Sequence, residues 1–234
     1  MTDVVISVRG EASTRVQPDQ VALYSGIRAV GTEKAAVLAQ AAAALEAVAA
    51  DLAALGGVAA TPVTGRVPLA WLASSVTSFE EMRWNSRDEQ QLPTGRIIAI
   101  VDLELRVRDF ALLERMADRL AEHAAVHVHH TIWSVDDDNA AWPRVRADAI
   151  RTALHRARDY AAALGGTVAR VEQIADAGLL AGRAEQGARL DRVVAAASFG
   201  GGDESATPRL DPRPQVLQAA IDARVVAAVP ALSL

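Results

Sequence analysis

One stretch near the middle of the chain, Arg96–Val107, limits the fold more than any other. It reads R-I-I-A-I-V-D-L-E-L-R-V. From Ala99 onward, Val101, Leu103, Leu105 and Val107 fall on one side, and Asp102, Glu104, Arg106 and Arg108 fall on the other. Such regular alternation belongs to a long antiparallel strand with one buried face and one wet face. The apolar face needs a cover, and amphipathic helical patterns lie on both sides of it in sequence.

The 234 residues are enough for one large domain or for two smaller lobes. Hydrophobic residues make up 51%, but aromatics only 4%, so the core must come from Val, Leu, Ile and closely packed alanines. The net charge of −5 argues against a nucleic-acid binder, which needs a basic surface. With no cysteine, disulfides, thiolate nucleophiles and zinc–thiolate sites are excluded. The opening M-T-D-V-V-I-S-V-R-G has no basic n-region followed by a long apolar run. The Ala-rich run from Ala35 to Leu55 is broken by Gln40, Glu46 and Asp51, short of the ~18 uninterrupted apolar residues of a membrane span. A soluble, cytoplasmic protein with no membrane span is expected.

Taken in order, Val4–Val8 reads as a short strand, R-G-E-A-S as a turn or irregular connection, and Val16 as the start of a second extended run, with Pro18-Asp19 as a turn signal and Val21, Leu23 and Ile27 alternating with Ala22, Tyr24 and Arg28. Thr32 is a candidate N-cap for a helix whose stripe is Leu38, Ala41, Leu45, Val48, Leu52 and Leu55, ended by Gly56-Gly57. Val63–Ala73 reads as an edge strand limited by Pro62 and Pro68, Phe79–Arg87 as another strand, and Asp88–Gly95 as a polar turn. Asp109 caps a helix with Leu112, Leu113, Met116 and Leu120 inside. Strand Val126–Val135 leads through Asp136–Asn139 into the longest helix, with Pro143 in its first turn and a stripe of Ile150, Leu154, Ala157, Ala161 and Leu164. Gly165-Gly166 stops it, Val168–Ala175 is a strand, and Gln215–Val229 closes the chain as a strand pairing with an earlier one. Between them, 178–214 reads as a mobile insertion with a short helix near Glu185–Ala196. The result is an α+β fold, antiparallel sheet with long helices on one face. A single domain over 1–234 is expected, or two lobes within it, about 1–108 plus 215–229 and about 109–177.

Candidate chemistry is sparse. His127 and His129 are two apart on a strand, so they share a face and are candidate metal ligands, while His130 should face away. Two ligands do not close a site, and the plainer reading is an exposed strand face. Asp136, Asp137 and Asp138 lack the alternating spacing and glycine of a calcium loop and read as helix caps. Arg144, Arg146, Arg151, Arg156 and Arg158 read as a solvated face with Asp148 and Asp159, or as a site for phosphate or an acidic partner. Trp133 reads as core. Trp71 and Trp84 fall in the edge-strand region and are interface candidates, with packing under a loop as the alternative. The G-G-G at 200–202 lacks the Lys-Ser/Thr of a phosphate loop. No catalytic residue, cofactor site or nucleophile–base pair is assigned.

The order of these segments resembles that of the SIMPL-domain proteins. The resemblance is carried by I-S-V-R-G-E-A-S and V-Q-P-D-Q-V-A-L-Y-S-G-I, the Ala-rich helix ending L-G-G, and I-I-A-I-V-D-L-E-L-R-V-R-D with its following helix. A-D-A-I-R-T-A-L-H-R-A-R-D-Y-A-A-A-L-G and the final strand after R-L-D-P-R-P-Q-V complete it. It implies an α+β scaffold, often exported to the bacterial periplasm or envelope, associated with oligomeric assemblies and stress tolerance. The founding animal relative is a kinase-signalling adaptor, and no catalytic residues are established. This chain departs from the family in lacking an export signal and an aromatic-rich pattern over Val63–Gln91. The expectation is a non-enzymatic, self-associating scaffold acting through an unidentified protein partner, with strand edges at Val63–Ala73 and Gln215–Val229 as the route. The alternative is a metal- or small-molecule-binding protein using His127/His129 or a pocket near Trp71/Trp84.

Overall fold

A computed structural model describes residues 2–60, 66–86, 89–180, 191–194 and 210–230. In chain order the elements are β1 (Thr2–Val16), β2 (Gln20–Gly31), α1 (Lys34–Ala54), β3 (Val58–Ala59), β4 (Leu69–Asn85) and β5 (Gln90–Val107). A 3-10 turn (Phe110–Leu112) follows, then α2 (Leu113–Glu122), β6 (Val126–Ser134), α3 (Ala141–Ala163), β7 (Thr167–Asp176), β8 (Asp191–Val194) and β9 (Gln215–Val229). The fold is α+β, and the chain divides into two compact units.

The first unit takes in β1, α3, β7, β8 and β9. Its sheet is antiparallel, with β9 central: β1 lies on one side along its full length, and β7 and β8 lie end to end on the other. Every second residue of β9 from Leu217 to Val229 is buried, together with Ile6 and Val8 of β1. Trp142, Val145, Ala149, Ala153, Ala157 and Ala161 of α3 cover them. Small residues let the helix come close. A Cβ built on Gly10 would lie 2.0 Å from the Ala149 carbonyl oxygen and 2.5 Å from the Ala153 nitrogen.

The second unit takes in β2 to β6, α1 and α2. Its sheet runs β3-β4-β5-β2-β6, antiparallel apart from the short β3–β4 pairing. Val101, Leu103, Leu105 and Val107 of β5 are buried, as the alternation requires, with Val21, Leu23 and Ile27 beside them on β2. Val37, Ala41, Val48 and Leu52 of α1, and Leu113, Met116 and Leu120 of α2, close this core. The Ser25 hydroxyl is buried and donates to the Leu103 carbonyl at 3.1 Å. By length and composition α1 could cross a membrane, but its four buried residues face this sheet.

Several expectations need correction. The two units are drawn differently from the expected lobes, because β1 pairs with β9 and not with β2, which takes it to the unit of α3. R-G-E-A-S is not a turn but continuous strand, since Gly10 is needed beneath α3. The Val63–Ala73 and Phe79–Arg87 strands are one, β4, and 61–65 lies outside the described residues. The Asp88–Gly95 turn is narrower, and Gln90 already starts β5. Glu33, not Thr32, caps α1, accepting from the Ala35 and Ala36 nitrogens. At α3 the Asn139 side chain accepts from Ala141 N at 2.9 Å, while Asp136 takes part through its carbonyl, which accepts from the Trp142 indole at 3.0 Å. The 178–214 insertion lies mostly outside the described residues. Within the helix expected at Glu185–Ala196, Asp191–Val194 is strand, because it finds a ladder on β9.

Candidate interaction surface

The most distinctive surface of the second unit is built where β2 stops. Pairing of β2 with β5 ends at Gly31 and Ile97, yet β4 and β5 continue together to Asn85 and Gln90. The result is a two-stranded arm with no third strand among the described residues. Apolar side chains on it are open: Met82 is 47% exposed, Trp84 60% and Leu92 38%, and Phe79, just before the arm where β2 is still present, is 49% exposed. Met82 sits opposite Pro93 and Trp84 opposite Gln91, so Met82, Trp84, Gln91 and Pro93 share one face.

The root of the arm is irregular. Glu80 pairs with Ile97 and Met82 with Pro93, leaving Glu81 opposite three residues, Thr94, Gly95 and Arg96. Gly95 carries a positive φ of 73°, which suits a residue without a Cβ. The Thr94 hydroxyl donates to Glu81 Oε2 at 3.0 Å and accepts from the Arg96 backbone N–H at 3.3 Å. The Arg96 guanidinium lies 3.6 Å from Glu81 Oε2, and Arg28 of β2 lies 3.8 Å from Oε1.

The two interface candidates part company here. Trp84 is on the arm. Trp71 lies opposite Leu105 and is half-buried against the helix-covered core. Trp133 packs there too, edge-on to Phe110 at 5.5 Å. Phe79, Met82 and Leu92 join Trp84 as surface residues that the composition alone did not single out. A cleft of about 330 Å³ lies at the ends of α1 and α2, lined by Asp51, Leu55, Arg115, Asp118, Arg119 and Glu122, with neither Trp71 nor Trp84.

The histidines share more of one face than alternation predicts. The β2–β6 register slips between Tyr24 and Ser25, which makes His129 an extra residue. His130 therefore turns to the solvent face and stacks on Tyr24 with ring centroids 4.6 Å apart. His127 lies opposite Gly26, and His129 Nε2 fills the space above that glycine. Even so, no group of three or more His, Asp or Glu side chains able to hold a metal ion occurs among the described residues. The α3 arginines are largely engaged within the chain: Arg151 pairs with Asp148, Arg146 lies over the Trp142 ring, and Arg156 donates to the Arg9 carbonyl at 2.8 Å.

The strand edges named as a route are not open as expected. β9 is the central strand of its sheet. The edge strands β4, β6 and β7 carry register shifts, which interrupt a ladder that another chain would extend, whereas the edge strand β1 pairs with β9 without a shift.

The family model for SIMPL, described as a protein of unknown function (DUF541), matches residues 6–225. The chain belongs to the SIMPL family. That match takes in both units and all of the arm, so the arm sits within the SIMPL domain. No curated protein matches the chain.

Proposed function

We propose that this SIMPL protein is a non-enzymatic scaffold that self-associates through the β4–β5 arm, with a second copy of the chain as the occupant of its apolar face. The observation that carries the reading is the placement of Met82, Trp84 and Leu92 on a ribbon that leaves the sheet, with Phe79 exposed just before it. An isolated two-stranded hairpin is marginal in water, so a surface covering Met82 and Trp84 stabilises both the arm and the contact. Large exposed apolar clusters mark interaction sites, and Trp is enriched among residues that dominate binding energy. Contact through the arm runs through the side chains on its faces, Met82 and Trp84 first among them. Identical copies then assemble with symmetry, closed or head-to-tail.

The test is absolute mass by light scattering across a concentration series. The native chain should form a discrete oligomer at tens of micromolar, and Met82→Ser with Trp84→Ser should return it to a single chain with unchanged far-UV circular dichroism. A native chain of monomer mass throughout that range would sink the reading.

A further inference from the structure

We propose that Glu81 is the positioning residue of the arm: its one carboxylate ties the arm's root to β2 and so fixes the direction in which Met82 and Trp84 are presented. The inference rests on the self-association reading for its consequence, but its geometry is independent of it.

Glu81 is the unpaired residue of β4 at the kink. A strand residue without a partner opposite normally turns to solvent, yet only 27% of this side chain is exposed. It is covered because both of its oxygens are used. Oε2 receives the Thr94 hydroxyl and faces Arg96, both within the three-residue bulge of β5, while Oε1 faces Arg28. Arg28 pairs with Ala125 of the β6 approach through its backbone N–H at 2.8 Å and with Ile100 in register, so its anchor belongs to the body of the sheet. The carboxylate thus joins three strands at the last point where β2 is present. Beyond it the arm has only its own ladder of Met82 to Asn85 against Gln90 to Pro93, and Pro93 gives that ladder no N–H. Gly95 adds a soft joint on the opposite strand. With the ladder short and the joint soft, the Glu81 contacts are what resists bending. They are charge-based and partly exposed, so added salt weakens them, whereas an apolar contact between arms does not weaken with sodium chloride in this way.

The experiment uses the absence of cysteine in the native chain. Gln90→Cys on the arm and Glu46→Cys on α1 take one spin label each, and labelled chains are diluted into a large excess of unlabelled chain so that only distances within one copy are read. In the native background a single narrow distance distribution is expected at low salt, broadening at high sodium chloride. Glu81→Ala should give the broad distribution at both salt concentrations, and Glu81→Gln, which keeps the acceptor for Thr94 but loses the charge, should fall between them. An Arg28→Gln variant should broaden the low-salt distribution as well. An unchanged distribution in Glu81→Ala overturns the positioning role, whatever the mass of the native chain. A broadened one in a chain that stays monomeric upholds the clamp and removes only the self-association reading. If both hold, Glu81→Ala weakens assembly about tenfold or more in midpoint concentration, while Glu81→Gln weakens it less.

Discussion

The two units each place a glycine in a strand facing something close, and they handle it in opposite ways. In the first, the missing Cβ of Gly10 makes room for backbone: the Ala149 carbonyl and the Ala153 N–H of α3. In the second, the missing Cβ of Gly26 makes room for the tip of one side chain, His129 Nε2, 2.8 Å from where the methyl would be. Backbone inside a helix cannot move without moving the helix, whereas an imidazole on an exposed edge strand can swing away. The first unit is therefore a tight stack of alanine helix on sheet. The second joins an ordinary Leu–Val core to an open solvent face and a two-stranded arm.

Gly10→Ala should be the most damaging single change. Its methyl meets backbone from two residues and cannot be relieved by a rotamer change. The cost should reach or exceed the upper end of ordinary overpacking, about 3 kcal/mol. Urea unfolding and hydrogen exchange at β1 and α3 would show it. A Gly10→Ala chain as stable as the native one would mean that α3 does not sit this close to β1.

Gly10 also shows where the sequence was legible and where it was not. Periodicity located β5, β6, β7 and β9 and the helices, because alternation and the 3.6-residue repeat are local properties of the chain. Of the stripe expected on α3, Ala157 and Ala161 are buried, but its first half is off by one position. Ile150 and Leu154 looked like its centre because they are large, but Ala149 and Ala153 lie there because only small residues allow the approach to Gly10. R-G-E-A-S looked like a turn for the same reason, since the demand for glycine comes from a helix far along the chain. That Trp84 lies in a strand was readable from the alternation around Phe79–Arg87. The arm was not, since it exists only because β2 is shorter than its neighbours. Nor was the face of His130, because one inserted residue in β6 reverses it. Non-local pairing decides each of these.

A smaller effect tests the outer surface of the tight unit. Arg9 donates to Asp222 through Nε at 2.8 Å, and Gly178 N–H donates to the same carboxylate at 2.7 Å. The Arg9 bond, then the Gly178 bond, hold the Asp222 carboxyl below its usual range against the opposing effect of burial. A carboxyl depressed in the folded state stabilises it at pH values above the unfolded pKa, about 3.9. That contribution is lost as pH falls through the lower folded value. Arg9 is half exposed, so the stabilisation is at the low end for a charged hydrogen bond, about 1 kcal/mol. Asp222→Asn should cost about that much at neutral pH and nothing below the folded pKa. Acid titration of the two proteins at fixed urea should therefore bring their stabilities together once the pH has fallen well below the unfolded pKa. Curves that stay parallel throughout would show that the pair is not the source.

The smallest effect sharpens the contrast most, because it isolates mobility from size. Gly26→Ala adds the same methyl as Gly10→Ala, also within a strand and beside a nearer-than-normal neighbour. If the neighbour's freedom decides the cost, Gly26→Ala should lose less than about 1 kcal/mol, the range of changes relieved by surface adjustment. The remaining cost should belong to the pair and not to the glycine. His129→Ala empties the space above Gly26, so Gly26→Ala added to it should be neutral or slightly stabilising, since alanine loses less chain entropy on folding than glycine. A double-mutant cycle reads this as a coupling between residues 26 and 129, measured by urea unfolding. A large loss that persists without the imidazole would place the obstacle in the sheet itself. The solvent face of β2 would then be as rigid as the ground beneath α3.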